Sequence, residues 1–263
     1  MKKIILISAI LLTLNAGFFD SLKKFFPSES KNSTIQNSNL SQYEISSGLK
    51  EALQKGVEYA VENLGKTDGF WKNTKVKIPL PNSLQKVATY LKKAGFEKYV
   101  DEFELSLNRA AEKATPKTAE IFINVIKNMS IEDAKKILKG GDNAATLYLR
   151  EKTQDKLYSL IYPIVKENID KVGSIKYYNQ IKEIYNKYAK PYTKNQTFSS
   201  IKNMFFNNKK QKNELDEFSQ KDIYEYTTSK TLDGIFKMIE EEEKKIRKNP
   251  VERTTTLLKK VFS

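Results

Sequence analysis

Apolar residues recur along most of this chain at intervals of three and four, the spacing of one face of an α-helix. Leu49, Leu53, Val57, Ala60, Val61 and Leu64 make the first long stripe, and Gly65 stands where that helix should stop. Leu84, Val87 and Leu91 predict a second helix, capped by Asn82 or Ser83. Val100, Phe103, Leu107, Ala110, Ala111 and Ala114 predict a third, starting near Glu97. Thr115-Pro116 places a cap and a first-turn proline before the apolar run at 121–126, and Ser130 with Asp133 has the spacing of a capping box. Gly140-Gly141-Asp142 ends one helix and begins another, whose inward face is predicted as Thr146, Leu149, Thr153, Leu157, Leu160 and Ile164. Pro163 should kink that helix or join two. Leu232, Ile235, Phe236, Ile239 and Ile246 mark a long helix over 222–248, and a short one should close the chain over 251–262.

One stretch breaks the helical period. Val76, Ile78 and Leu80 alternate with Lys77, Pro79 and Pro81, and the two prolines bar a central strand, leaving a lone edge strand or a packed loop. The predicted fold is therefore all-α, a bundle of about eight to ten helices with one short extended segment near 76–81.

The first residues follow a different pattern. Met1-Lys2-Lys3, an apolar run over 4–14 and Asn15-Ala16-Gly17 follow the charged, apolar and small-residue order of a secretory signal, so 1–16 is expected to be removed on export. The apolar run is shorter than the roughly 20 residues that span a bilayer. Residues 17–45 are expected to be an amphipathic stub and a flexible polar tether. In the stub, Phe18, Phe19, Leu22, Phe25 and Phe26 share one helical face. Residues 46–263 then form a single helical domain with a Lys-rich insertion at 190–213.

Composition narrows the chemistry. The chain has no Cys and no His, which removes disulfides, thiolate nucleophiles, imidazole bases and the commonest transition-metal ligands. No catalytic residue, cofactor or metal is assigned, and any catalysis would rest on carboxylates, Lys, Tyr or a hard oxygen-bound metal. The formal charge is +14, but the Lys excess is spread along the chain rather than gathered in a stripe. Nucleic acid is therefore not the expected partner, and an anionic lipid or polymer surface fits better.

From Gly48 onward a series of short words carries a resemblance. They are Gly48-Leu49-Lys50-Glu51-Ala52-Leu53, Asp68-Gly69-Phe70, Val76-Lys77-Ile78-Pro79-Leu80-Pro81, Asn108-Arg109-Ala110-Ala111-Glu112, Gly140-Gly141-Asp142, Leu232-Asp233-Gly234, Ile246-Arg247 and Asn249-Pro250. In this order they resemble the bacterial domain-of-unknown-function family 4197. The resemblance implies an exported helical envelope protein and supplies no catalytic residue.

Only four of the 46 basic residues are Arg: Arg109, Arg150, Arg247 and Arg253. In a chain that otherwise uses Lys, each Arg marks a place where a planar fork is useful. It could anchor a helix through a carboxylate such as Asp101, Glu104, Glu112, Asp142 or Glu241, or hold an anionic ligand in a cleft. Glu104, Asn108 and Glu112 fall at i, i+4 and i+8 on one flank. Such acids can act as general acid and base or bind a hard cation, though pairing with Lys or Arg is the favoured reading. Gly141 and Asp142 at a helix start could present N–H groups to an anion, unless Asp142 itself caps that end. Glu240 to Glu243 followed by Lys244 and Lys245 predict pairs 240–244 and 241–245 on a solvated face. Phe18, Phe19, Phe25 and Phe26 with Lys202, Phe205, Phe206, Lys209 and Lys210 are the candidates for contact with an anionic membrane surface.

Taken together these features predict an exported periplasmic helical protein, a non-catalytic binding or scaffold module with an Arg and carboxylate polar cleft. Its partner would be a polar or anionic ligand or an envelope protein. The alternatives are a carboxylate-dependent hydrolase acting on an envelope polymer and a membrane-surface-associated protein.

Overall fold

Ser41 and Glu44 start the first helix reciprocally. The Glu44 N–H donates to Ser41 Oγ at 3.1 Å and the Ser41 N–H to Glu44 Oε2 at 2.9 Å. This box sets α1 at Gln42–Gly65, ahead of the predicted start at Ser46. The computed structural model describes residues 41–185, 187, 220–249 and 259. The expected signal at 1–16, most of the expected tether at 17–45, the stretch expected as a Lys-rich insertion at 190–213 and nearly all of the helix expected over 251–262 lie outside the described residues.

The elements that follow are α2 (Asn82–Lys93), α3 (Glu97–Ala114), a 3-10 turn (Thr115–Thr118), α4 (Ala119–Lys127) and α5 (Ile131–Lys139). After them come α6 (Ala144–Lys171), α7 (Ser174–Ile184) and α8 (Gln220–Lys248). The all-α class agrees with the pattern, and no strand occurs among the described residues. The described residues carry eight α-helices and the 3-10 turn, and the helical stretches expected at 18–26 and 251–262 fall almost wholly outside them. The segment at 76–81 is a packed loop. Val76, Ile78 and Leu80 are buried as their alternation predicts, but a side chain of α3 takes the place of a neighbouring strand.

Several caps depart from expectation. Pro81, not Asn82 or Ser83, stands at the N-cap of α2. The Thr115 hydroxyl donates to the Ala111 carbonyl at 2.8 Å, so Thr115 prolongs the helical path of α3 into the 3-10 turn instead of capping α4. Ser130 and Asp133 do form the capping box of α5. Pro163 lies inside α6, which runs unbroken from 144 to 171. The buried stripe of α6 passes from Leu157 to Ile161, Val165 and Ile169, whereas Leu160 is 36% exposed. A step of four keeps the stripe against its neighbours where a step of three would carry it toward solvent.

Helix α8 packs along α6 and α1, α3 lies against α6 and α7, and α1 is covered on its other side by α4 and α5. Phe70, Phe103, Phe122 and Phe236 are fully buried in this interior. Phe122 and Phe236 meet edge to face, with ring centroids 5.6 Å apart. Thr227, Thr228 and Thr231 are buried on α8, and each hydroxyl is satisfied by the carbonyl four residues earlier, at 2.7 to 2.8 Å. No described helix is long and apolar enough to cross a membrane.

Candidate functional site

The flank of α3 carrying Glu104, Asn108 and Glu112 is a docking rail for the loop at 68–81. Glu112 is 3% exposed, and its Oε1 accepts the backbone N–H groups of Phe70 and Trp71, both at 3.1 Å. Its Oε2 accepts Arg109 Nη1 at 2.7 Å. One turn earlier Asn108, fully buried, treats Ile78 as a strand would. It accepts the Ile78 N–H at 2.8 Å and donates to the Ile78 carbonyl at 2.9 Å. A further turn back, Glu104 pairs with Lys77 at 3.4 Å. The spacing that the sequence offered as an acid pair is thus a row of hooks that satisfies backbone groups of a loop without a strand partner.

Asp68 completes this network. Its carboxylate takes Lys72 at 2.8 Å and Arg109 Nη2 at 2.7 Å, and these two hydrogen bonds hold its pKa below the ordinary aspartate value. Asp68 sits at φ +68°, a left-handed conformation that Asp tolerates better than most residues. Gly69 follows because a Cβ there would lie 2.4 Å from the Asn63 carbonyl oxygen. Phe70 then enters the core against Gly234 of α8, where a Cβ would approach the ring to 2.6 Å. Trp71 is half-buried beneath the Lys77 ammonium, 3.9 Å from its ring centroid. Helix α8 holds the loop from its other side. The Tyr226 hydroxyl donates to the Pro79 carbonyl at 2.9 Å, and burial together with the nearby Glu104 pushes its pKa up to about 12.

A second network sits at the start of α6. Asp142 does not cap this end. It pairs with Lys248, which holds its pKa below the usual value, and Asn143 at the N-cap makes no side-chain capping bond. The cap comes from across the fold. Glu243 of α8, 8% exposed, accepts the N–H groups of Ala145 and Thr146 at 2.9 and 2.8 Å and the Thr146 hydroxyl at 2.8 Å. Arg247 Nε donates to the same carboxylate at 2.9 Å, while its Nη2 reaches the Ile137 carbonyl at the end of α5, at 3.0 Å. The N–H groups that this helix start could have offered to an anion, at Ala145 and Thr146, are taken by a carboxylate of this chain. Gly141 itself is exposed.

Glu243 was the residue missed by sequence reasoning, which placed Glu240 to Glu243 on a solvated face. The signal was present, since Glu243 shares a face with Phe236, Ile239 and Ile246. Glu240 pairs with Lys244 as expected. Glu241 pairs instead with Lys75 at 2.7 Å, and Lys245 turns to Glu242 at 3.0 Å.

Of the other sequence candidates, Arg150 pairs with Asp233 at 3.2 Å and lies 4.4 Å over the Phe236 ring. Arg253 lies outside the described residues, as do Phe18, Phe19, Phe25, Phe26, Lys202, Phe205, Phe206, Lys209 and Lys210. Among the carboxylates expected to hold the Arg side chains, Glu112 does so. Asp68, Asp233 and Glu243 replace the rest. By the bonds they make, Glu104, Asn108, Arg109 and Glu112 belong to the α3 network, Asp142 and Arg247 lie at the α6 start, and Arg150 faces outward. No group of three or more acids able to hold a metal ion occurs among the described residues.

Residues 39–263 match the family model described as protein of unknown function (DUF4197). The chain belongs to this family. No curated protein and no solved structure matches it. Much of what the short words spell is now physical. Asp68-Gly69-Phe70, Asn108-Arg109, Glu112 and Gly234 are the parts of one loop-docking network, while Ile246-Arg247 and Gly140-Gly141-Asp142 flank the Glu243 cap.

Proposed function

We propose that this DUF4197 protein is a non-catalytic scaffold or binding module of the bacterial periplasm, exported by a cleavable signal at 1–16. One observation carries the reading. Each Arg among the described residues is engaged by a carboxylate of the chain, and the two most buried carboxylates, Glu112 and Glu243, accept backbone N–H groups as well. A carboxylate held by three or four donors has its lone pairs filled and makes a poor general base, but it is a strong structural anchor. The lack of His and Cys across the whole chain points the same way.

The test has two readouts on the full chain with its own leader. Cell fractionation should recover a shortened protein in the periplasmic fluid, and recovery of the uncut chain in the cytosol would overturn the exported reading. Isolated envelope polymer incubated with the purified protein should show an unchanged fragment pattern by mass spectrometry. New cleavage products would overturn the non-catalytic reading.

A further inference from the structure

Between α6 and α8 lies an open groove of about 360 Å³, lined by Arg150, Asp233, Lys237, Glu240, Glu241 and Lys244. Its ion pairs are more exposed than those of the buried networks: the side chains of Arg150 and Asp233 are 36% and 54% exposed, against 11% and 8% for Arg247 and Glu243. Arg150 makes one hydrogen bond, at 3.2 Å, to an Asp233 side chain that is 54% exposed. The Arg150 guanidinium carbon lies 4.4 Å from the centroid of the Phe236 ring. The Lys237 ammonium donates to the neutral Lys75 carbonyl at 2.9 Å. Along α8, Asp233, Lys237 and Glu241 alternate in sign at steps of about 6 Å, four residues at the helical rise.

The charge balance selects the ligand class. The whole chain carries +14, yet the groove holds three cations and three acids. A dianion would meet Asp233, Glu240 and Glu241, and a dication would meet Arg150, Lys237 and Lys244. A molecule carrying both signs can exchange partners with these exposed pairs without stranding a charge, and such pairs resist exchange weakly. The groove has room for a small molecule.

We propose that this groove binds small zwitterions with a carboxylate and an ammonium group a few ångströms apart, such as short peptides. Arg150 and Lys237 take the carboxylate, and Asp233 with Glu240 or Glu241 takes the ammonium. The proposal builds on the binding-module reading, naming its site and ligand class.

The test is saturation-transfer NMR on the mature chain with three probes of similar length: the dipeptide Ala-Ala, succinate and putrescine. Ala-Ala should show transfer and the other two should not. The pair Arg150→Gln with Asp233→Asn should weaken Ala-Ala binding roughly tenfold, the scale of a lost charge-assisted hydrogen bond, with the melting temperature unmoved. Lys237→Gln should weaken it as well. Absence of transfer from Ala-Ala, equal transfer from succinate or putrescine, or binding unchanged in these variants each overturns the proposal. Those outcomes leave export and non-cleavage of polymer untouched, since these are read by fractionation and mass spectrometry.

Discussion

Arg109 and Arg150 perform opposite tasks with the same chemistry. Arg109 is 28% exposed and bridges two carboxylates, one of which, Glu112, is almost wholly buried and also holds two backbone N–H groups. Arg150, 36% exposed, makes a single hydrogen bond to an exposed acid. The difference teaches that an Arg and carboxylate pair in this fold is structural in proportion to the backbone groups tied to it. Where nothing else depends on the pair, it is open to exchange.

The sharpest way to break this contrast is Glu112→Ala. It leaves the Phe70 and Trp71 N–H groups and the Arg109 fork without their acceptor, and should cost about 3 kcal/mol or more. Urea unfolding followed by the fluorescence of Trp71, the only Trp of the chain, would report both the loss and the local change. A cost below about 1 kcal/mol would show that the loop docks through its apolar residues alone. Glu243→Ala should follow at roughly 2 to 3 kcal/mol, since it uncaps α6 and isolates Arg247, measured by the same unfolding midpoint. Gly234→Ala tests the apolar half of the loop contact. Its Cβ would press on the Phe70 ring, and about 1 to 3 kcal/mol of destabilisation is expected from overpacking in a thermal melt. At the small end, Arg150→Gln should shift stability by less than about 0.5 kcal/mol.

Acid sharpens the same comparison. The folded-state pKa of Asp68 is depressed by Lys72 and Arg109, so its contribution is fully present above the unfolded value of about 4 and is lost as pH falls through the lower folded value. Asp68→Asn should therefore flatten the loss of thermal stability between neutral pH and pH 3. A curve as steep as that of the parent would remove Asp68 from the acid response.

Along single helices the sequence was legible. The stripes of α1, α3 and α8 are buried as written, because a 3.6-residue period names its inward face without reference to any partner. The capping box at Ser130 was equally plain, since both halves lie within one turn. The box at Ser41 has the same form but lies inside a polar tract that suggested a tether. The drift of the α6 stripe away from Leu160 was not legible, since it depends on which helices lie alongside.

Local periodicity and the absence of His and Cys thus determined the all-α class and the chemistries open to the chain. Tertiary structure alone decided the partners of the charged residues: that Glu243 caps a helix almost a hundred positions away, at Ala145 and Thr146, that Asn108 stands in for a strand, and that Asp68 shares Arg109 with Glu112. Helix formation is set by neighbours within a turn, whereas the partner of a buried charge is set by whichever backbone donors the packing leaves unsatisfied, and those come from distant parts of the chain.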